Sequence, residues 1–161
     1  MPPAVPMPSS EPIAPTGEVA ALVTRGVRRA LAALGHATVV EFPLQCGRRA
    51  DIVAVDGRGA ILIIEVKSGP ADFRSDHKWP DYELYCDRFY FAVAGDFPRT
   101  LIPESCGLIV ADGYDAAFLR EPAEHRLNAA RRKAMLLRFG LAAAQRLHRL
   151  EDPGLAGWAA V

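Results

Sequence analysis

Residues 50–67 read ADIVAVDGRGAILIIEVK, two apolar runs on either side of Gly57-Arg58-Gly59. Valine, isoleucine and leucine dominate both runs, and a glycine-flanked break between β-prone segments is the signature of a hairpin. If Gly57-Arg58-Gly59 is a three-residue loop, Asp56 pairs with Ala60, and counting back places Asp51 directly opposite Glu65. Side chains alternate along a strand, so Glu65 and Lys67 share a face, and Asp51 faces the same way.

Two carboxylates facing each other across neighbouring strands repel unless something positive lies between them, and a hard divalent cation fills that role. Mg²⁺ takes oxygen ligands and is usually held by one or two carboxylates with water and phosphate oxygens. Asp51, Glu65 and the carbonyl of Val66 provide such a half-shell, and Lys67 stands ready to orient a bound water or offset charge developing on a phosphate. The same residues also read as a solvated strand end with a weak salt bridge. Spacing alone does not separate the two readings.

Outward from this hairpin the chain organises as one domain. Residues 1–15 carry six prolines and few apolar anchors, predicting a flexible tail. Thr16 is placed to cap a helix whose apolar positions, among them Val19, Leu22, Val23, Val27 and Leu31, recur at helical spacing until Gly35. Strands are predicted at 37–44, 50–56 and 60–67, the three forming a meander, with further strands at 88–94 and 108–111. Between them lies a polar and aromatic segment, 72–87, interrupted at Trp79-Pro80. A long helical pattern runs over 124–150, and a short tail begins at Pro153, so the folded domain is expected over 16–152.

Composition narrows the partners. Lysine plus arginine and aspartate plus glutamate each number 19, so the chain as a whole makes no electrostatic case for a polyanion, and any such case must be local. The three cysteines, 46, 86 and 106, lack close pairs, and the four histidines are scattered, which argues against a zinc site and for a reduced, cytoplasmic protein. Neither a membrane-spanning run nor a signal-peptide pattern is present in the sequence. The last helical segment carries Arg126, Arg131, Arg132, Lys133, Arg138, Arg146 and Arg149 with no acid among them. That reads either as a phosphate-binding face or as a solvated face balanced by acids elsewhere.

The order helix, three-strand meander, helix, strand, with Asp51 and then Glu65-Val66-Lys67, resembles the PD-(D/E)XK nuclease superfamily. More narrowly, residues 49–55, Glu65-Val66-Lys67-Ser68, Asp72-Phe73, Asp76-His77-Lys78-Trp79, Tyr82 and 86–93 are similar to the MmcB-like DNA-repair family. The likeness covers roughly residues 17–150. It implies an α/β restriction-endonuclease-like core with a mixed sheet flanked by helices in αβββαβ order, Mg²⁺ or Mn²⁺ at the two carboxylates, and DNA as substrate. Ala50 stands where many superfamily members have proline, which is not a ligand. Many members add a glutamate from the first helix, a position matched by Glu18, although a first-turn acid also complements the helix dipole. Glu41 is the weaker substitute.

Arg48, Arg49, Lys78, Arg131 and Arg132 are the expected DNA contacts, while Asp72 and Asp76 read as caps and Trp79, Tyr82, Tyr85 and Phe89 as core. Asp76 is also placed to pair with Lys78. The expectation is a metal-dependent deoxyribonuclease of DNA repair. The alternative is a DNA-binding or repair-complex subunit that keeps the nuclease fold without turnover, and homodimerisation stays open.

Overall fold

The computed structural model describes residues 16–154, so the tail expected over 1–15 and most of the one expected after 153 lie outside the described residues. The described residues form one six-stranded sheet with helices on both faces. Helix α1 (Thr16–Ala33) leads into β1 (Ala37–Pro43), β2 (Arg49–Val55) and β3 (Ile61–Lys67). Helix α2 (Pro70–Ser75) and a 3₁₀ segment (Trp79–Tyr85) carry the chain to β4 (Arg88–Val93). The strands β5 (Gly107–Ala111) and β6 (Ala116–Arg120) and helix α3 (Ala129–Glu151) complete it.

Strand order follows chain order, with β1, β2 and β3 antiparallel, β3, β4 and β5 parallel, and β5 and β6 antiparallel. Asp56 donates its amide to the Ala60 carbonyl, and Gly59 takes a positive φ of 82° at the turn. The hairpin therefore has the register its loop predicts, with Ile52 opposite Ile64 and Val55 opposite Ile61.

Alternation along the strands splits the core in two. Val23, Val27 and Leu31 of α1 pack on Ile52, Leu62, Ile64, Tyr90 and Ile109. The opposite face, with Val53, Ile61, Ile63, Phe89 and Phe91, is covered by Tyr82, Met135 and partly buried residues of α2 and α3. Trp79 stacks on Phe89, so the segment after β3 packs as core, as expected.

Three features depart from the sequence expectation. Thr16, expected as the cap of α1, already lies within the helix. Helix α3 begins at Ala129 instead of 124, because the His125 amide donates to the Asp87 carbonyl and the Leu127 amide to the Asp87 carboxylate, which tethers this segment to β4. Asn128 then caps the helix by accepting the Arg131 amide at 2.8 Å. Strand β6 is not expected from sequence, being five residues long and only half-buried at the sheet edge, with weak patterning.

Gly26 shows why α1 lies where it does. A Cβ at this position would sit 2.0 Å from the Asp112 carbonyl oxygen and 2.6 Å from that of Asp115, so only glycine lets the β5–β6 turn dock on the helix. Alanine would gain about 1 kcal/mol of helix propensity. The backbone clash outweighs that gain, and Gly26→Ala should lower stability by a net ~1–3 kcal/mol in urea unfolding. An unchanged midpoint would mean the turn is not held against α1.

Candidate active site

The β2–β3 ladder has its last registered pair at Ile52 and Ile64, one step before Asp51 and Glu65. There each carboxylate takes an amide of the opposite strand. Glu65 Oε1 accepts from Asp51 N–H at 3.2 Å and Asp51 Oδ2 accepts from Val66 N–H at 2.8 Å. Side chains thus replace ladder carbonyls where the strands part, which fixes both carboxylates beside each other.

Lys67 lies on the same face, its Nζ 4.0 Å from Glu65 Oε2 and 2.6 Å from Asp76 Oδ2. The expected pairing of Asp76 with the Lys78 side chain does not form. Instead Asp76 holds the Lys67 ammonium with one oxygen and accepts the Lys78 amide with the other. Asp72, expected as a cap, lies within the first turn of α2, whose N-cap is Gly69, and reaches back to accept from the amide and hydroxyl of Ser68.

Glu65 and Lys67 are each only 5 % exposed, the floor of a recess of about 900 Å³ between α1 and the end of the sheet. Burial, and then the charge of Asp51, push the Glu65 carboxyl up to about 8. Burial also raises Asp51, against the opposing effects of the Val66 amide and Lys67. The metal-free folded chain therefore holds more protons here than the unfolded chain between the ordinary carboxylate range and about pH 8. Its stability should be greatest at the bottom of that window and fall as pH rises through it. In EDTA the melting temperature should decline from about pH 5 to about pH 8, and Glu65→Gln should flatten the decline. An equally steep decline in Glu65→Gln would locate the titration elsewhere.

Of the residues named from sequence, Asp51, Glu65, Val66 and Lys67 meet at this recess. Glu18 is exposed and does not line it, whereas Glu41 does. Glu41 has a positive φ of 48°, which for a residue with a side chain costs roughly 1–2 kcal/mol. Arg146 of α3 donates to the Val40 and Glu41 carbonyls at this point, and Arg49 pairs with the Glu41 carboxylate at 2.5 Å. Among the described residues, no group of three histidine, cysteine, aspartate or glutamate side chains gathers as a metal cluster. The site is a carboxylate pair.

The expected DNA contacts are not gathered there. Arg48 pairs with Asp81, and Lys78 is exposed outside the recess. Arg131 donates to the Leu84 carbonyl and lies over the Tyr85 ring. Arg132 forms a two-pronged pair with buried Asp87 at 2.6 and 2.7 Å and also reaches the Gly59 carbonyl. Asp87 lies beside Ile61, at the other end of β3 from Glu65, roughly 13 Å away at strand rise. Arg132, expected as a DNA contact, thus has a carboxylate partner inside the fold and lies away from the recess.

Sequence reasoning missed two features of this region. One is Asp76 as the partner of Lys67. The other is the polar side of α1, where Arg25, Arg28 and Arg29 recur at helical spacing and line the recess opposite the carboxylates.

A mixed six-stranded sheet flanked by helices, parting at two strands to seat two carboxylates beside an ammonium, defines an α/β protein. The chain belongs to the MmcB-like DNA repair protein family, whose pattern matches residues 9–154. It is also similar to a solved structure, the SPO1766 protein of unknown function from Silicibacter pomeroyi. The two are 43 % identical with a TM-score of 0.80, over 84 % of this chain and 92 % of that one. No curated protein matches it. Among the described residues, no helix is long and apolar enough to cross a membrane.

Proposed function

We propose that the chain is a divalent-cation-dependent deoxyribonuclease of DNA repair, with a restriction-endonuclease-like core of the PD-(D/E)XK type. The observation that carries this reading is the pair of part-buried Asp51 and buried Glu65, side by side at the parting of β2 and β3 with Lys67 Nζ 4.0 Å from Glu65. Burial raises both carboxyls, and the charge of Asp51 raises Glu65 further, so the pair favours a proton or a cation between its oxygens. All-oxygen donors suit Mg²⁺ or Mn²⁺ over softer metals.

Asp51 and Glu65, with the Val66 carbonyl, are the residues to hold that ion. When bound it would supply Lewis acidity toward a phosphate oxygen and lower the pKa of a water. Lys67, fixed by Asp76, places a positive charge where negative charge grows on the phosphate, and its burial keeps that charge from being screened. Glu41 lines the same recess and is the nearer candidate for a third carboxylate than Glu18.

The test is incubation of the purified chain with Mg²⁺ or Mn²⁺ and labelled single-stranded, duplex, flap and four-way DNA. Cleavage that EDTA stops supports the proposal. Binding of DNA with no cleavage under any metal would assign a repair-complex subunit that keeps the fold without turnover.

A further inference from the structure

We infer that the DNA backbone is held by Arg25, Arg28 and Arg29 of α1, and not by the arginines of α3. This rests on the DNA reading above and names the surface that reading lacks. The three guanidinium-bearing residues are exposed, lie on the side of α1 away from its buried Val23, Val27 and Leu31, and line the same recess as Asp51, Glu65 and Lys67. Among the described residues, none of the three has a carboxylate within ion-pairing distance.

Their other interactions orient them without neutralising them. Arg28 donates Nε to Thr38 Oγ1 at 3.0 Å, and Arg29 donates Nε to the Tyr114 carbonyl at 2.8 Å, which leaves the terminal nitrogens of both for an incoming anion. Arg25 sits over the Tyr114 ring, 5.6 Å from its centroid. The β5–β6 turn that carries Tyr114 reaches α1 only because Gly26 has no side chain, so the placement of this row is built into the fold.

The arginines of α3 differ in place, since none of them lines the recess that holds Asp51, Glu65 and Lys67. Arg131, Arg132 and Arg146 donate to carbonyls or to Asp87, joining the helix to the rest of the domain. A neutral chain thus presents an unneutralised cationic row beside the Asp51 and Glu65 carboxylates. Phosphodiester backbone fits that arrangement, because the row takes its charge while one phosphate approaches the carboxylates.

The test is fluorescence anisotropy with the full chain and a labelled duplex of arbitrary sequence, in EDTA to prevent cleavage, over a series of salt concentrations. Removing one arginine from the phosphate backbone should flatten the plot of log affinity against log salt by about 0.9. Arg25→Gln should remove about one such step, and Arg25→Gln with Arg28→Gln about two, with at least a roughly tenfold weaker affinity at low salt. Lys133→Gln with Arg149→Gln, both exposed on α3, should match the parent. Because Arg25 is held in the fold by a ring face and not by a hydrogen bond to another described residue, its single variant keeps the test valid if the double variant is unstable.

Normal affinity and slope in both α1 variants, or loss confined to the α3 variant, would overturn the inference while leaving nuclease activity to stand or fall on its own assay. Slope loss in the α1 variants of a chain that never cleaves would uphold the surface and overturn the nuclease. A parent chain that binds no DNA at any salt would overturn both.

Discussion

Asp51→Asn and Glu65→Gln should each reduce metal-supported DNA cleavage on the order of a thousandfold or more, with the fold retained. Loss of an outer partner of a metal site typically costs about 10–100-fold, and loss of an ion-holding carboxylate strikes more directly. The metal-free Glu65→Gln variant should melt no lower than the parent at neutral pH. Its amide resembles the protonated carboxyl that burial and Asp51 already favour there. Lys67→Met should lose activity comparably but behave differently in stability. It strips Asp76 of its 2.6 Å partner, so that carboxylate is left half-sheltered without a cation. Asp76→Asn acts through Lys67 and should cost only about 10–100-fold. Single-turnover cleavage beside thermal melts separates these outcomes. Parent-like cleavage in Asp51→Asn or Glu65→Gln would remove the carboxylate pair from the chemistry.

The largest effect on stability is expected at Asp87. The residue is 3 % exposed, and its carboxylate accepts the Ile61 amide at 2.8 Å, the Leu127 amide at 3.1 Å and the Arg132 fork. Burial alone would raise this carboxyl, but Arg132 and the two amides more than offset it and hold it below the usual range. Asp87→Ala would orphan the two amides and leave Arg132 only the Gly59 carbonyl. Removing one partner of a buried, hydrogen-bonded ion pair costs about 3–5 kcal/mol, a large share of a domain's net stability. Arg132 is part-exposed and partly re-solvated, which favours the lower end. Because the depressed pKa gives stability that is present above the unfolded carboxylate pKa and lost as pH falls through the folded one, the parent should also weaken in acid, and Asp87→Ala should weaken less. Urea unfolding at neutral and acidic pH measures both. Hydrogen exchange should show α3 loosening first, since Asp87 and Arg132 tie its start to β3 and β4. A loss under about 1 kcal/mol would show that α3 is held mainly by its apolar face.

Much of the site was legible in residues 50–67, because everything needed there is local. Strand alternation, loop length and the abrupt end of an apolar run are read within a few residues, and together they place Asp51 beside Glu65 with Lys67 on the same face. The same local periodicity marks α1, the three-strand meander, β4 and β5. The partners of the charged side chains were not legible. Arginines spaced along α3 look alike in sequence whether they face solvent or a carbonyl far along the chain, and only packing shows that Arg132 reaches Gly59 and Asp87. Asp76 turns to Lys67 for the same reason, since the choice between Lys67 and Lys78 depends on how the chain turns after β3.

What the sequence by itself determined is the hairpin register, the pair of carboxylates and the ammonium beside them, since period two and a three-residue loop leave no other face for them. Only the tertiary structure decided which arginines are neutralised and which remain free. That choice depends on interactions between residues far apart in the chain, here the docking of α3 on Asp87 and of the β5–β6 turn on Gly26. It commits Arg132 of α3 to Asp87 and leaves the α1 row facing the recess.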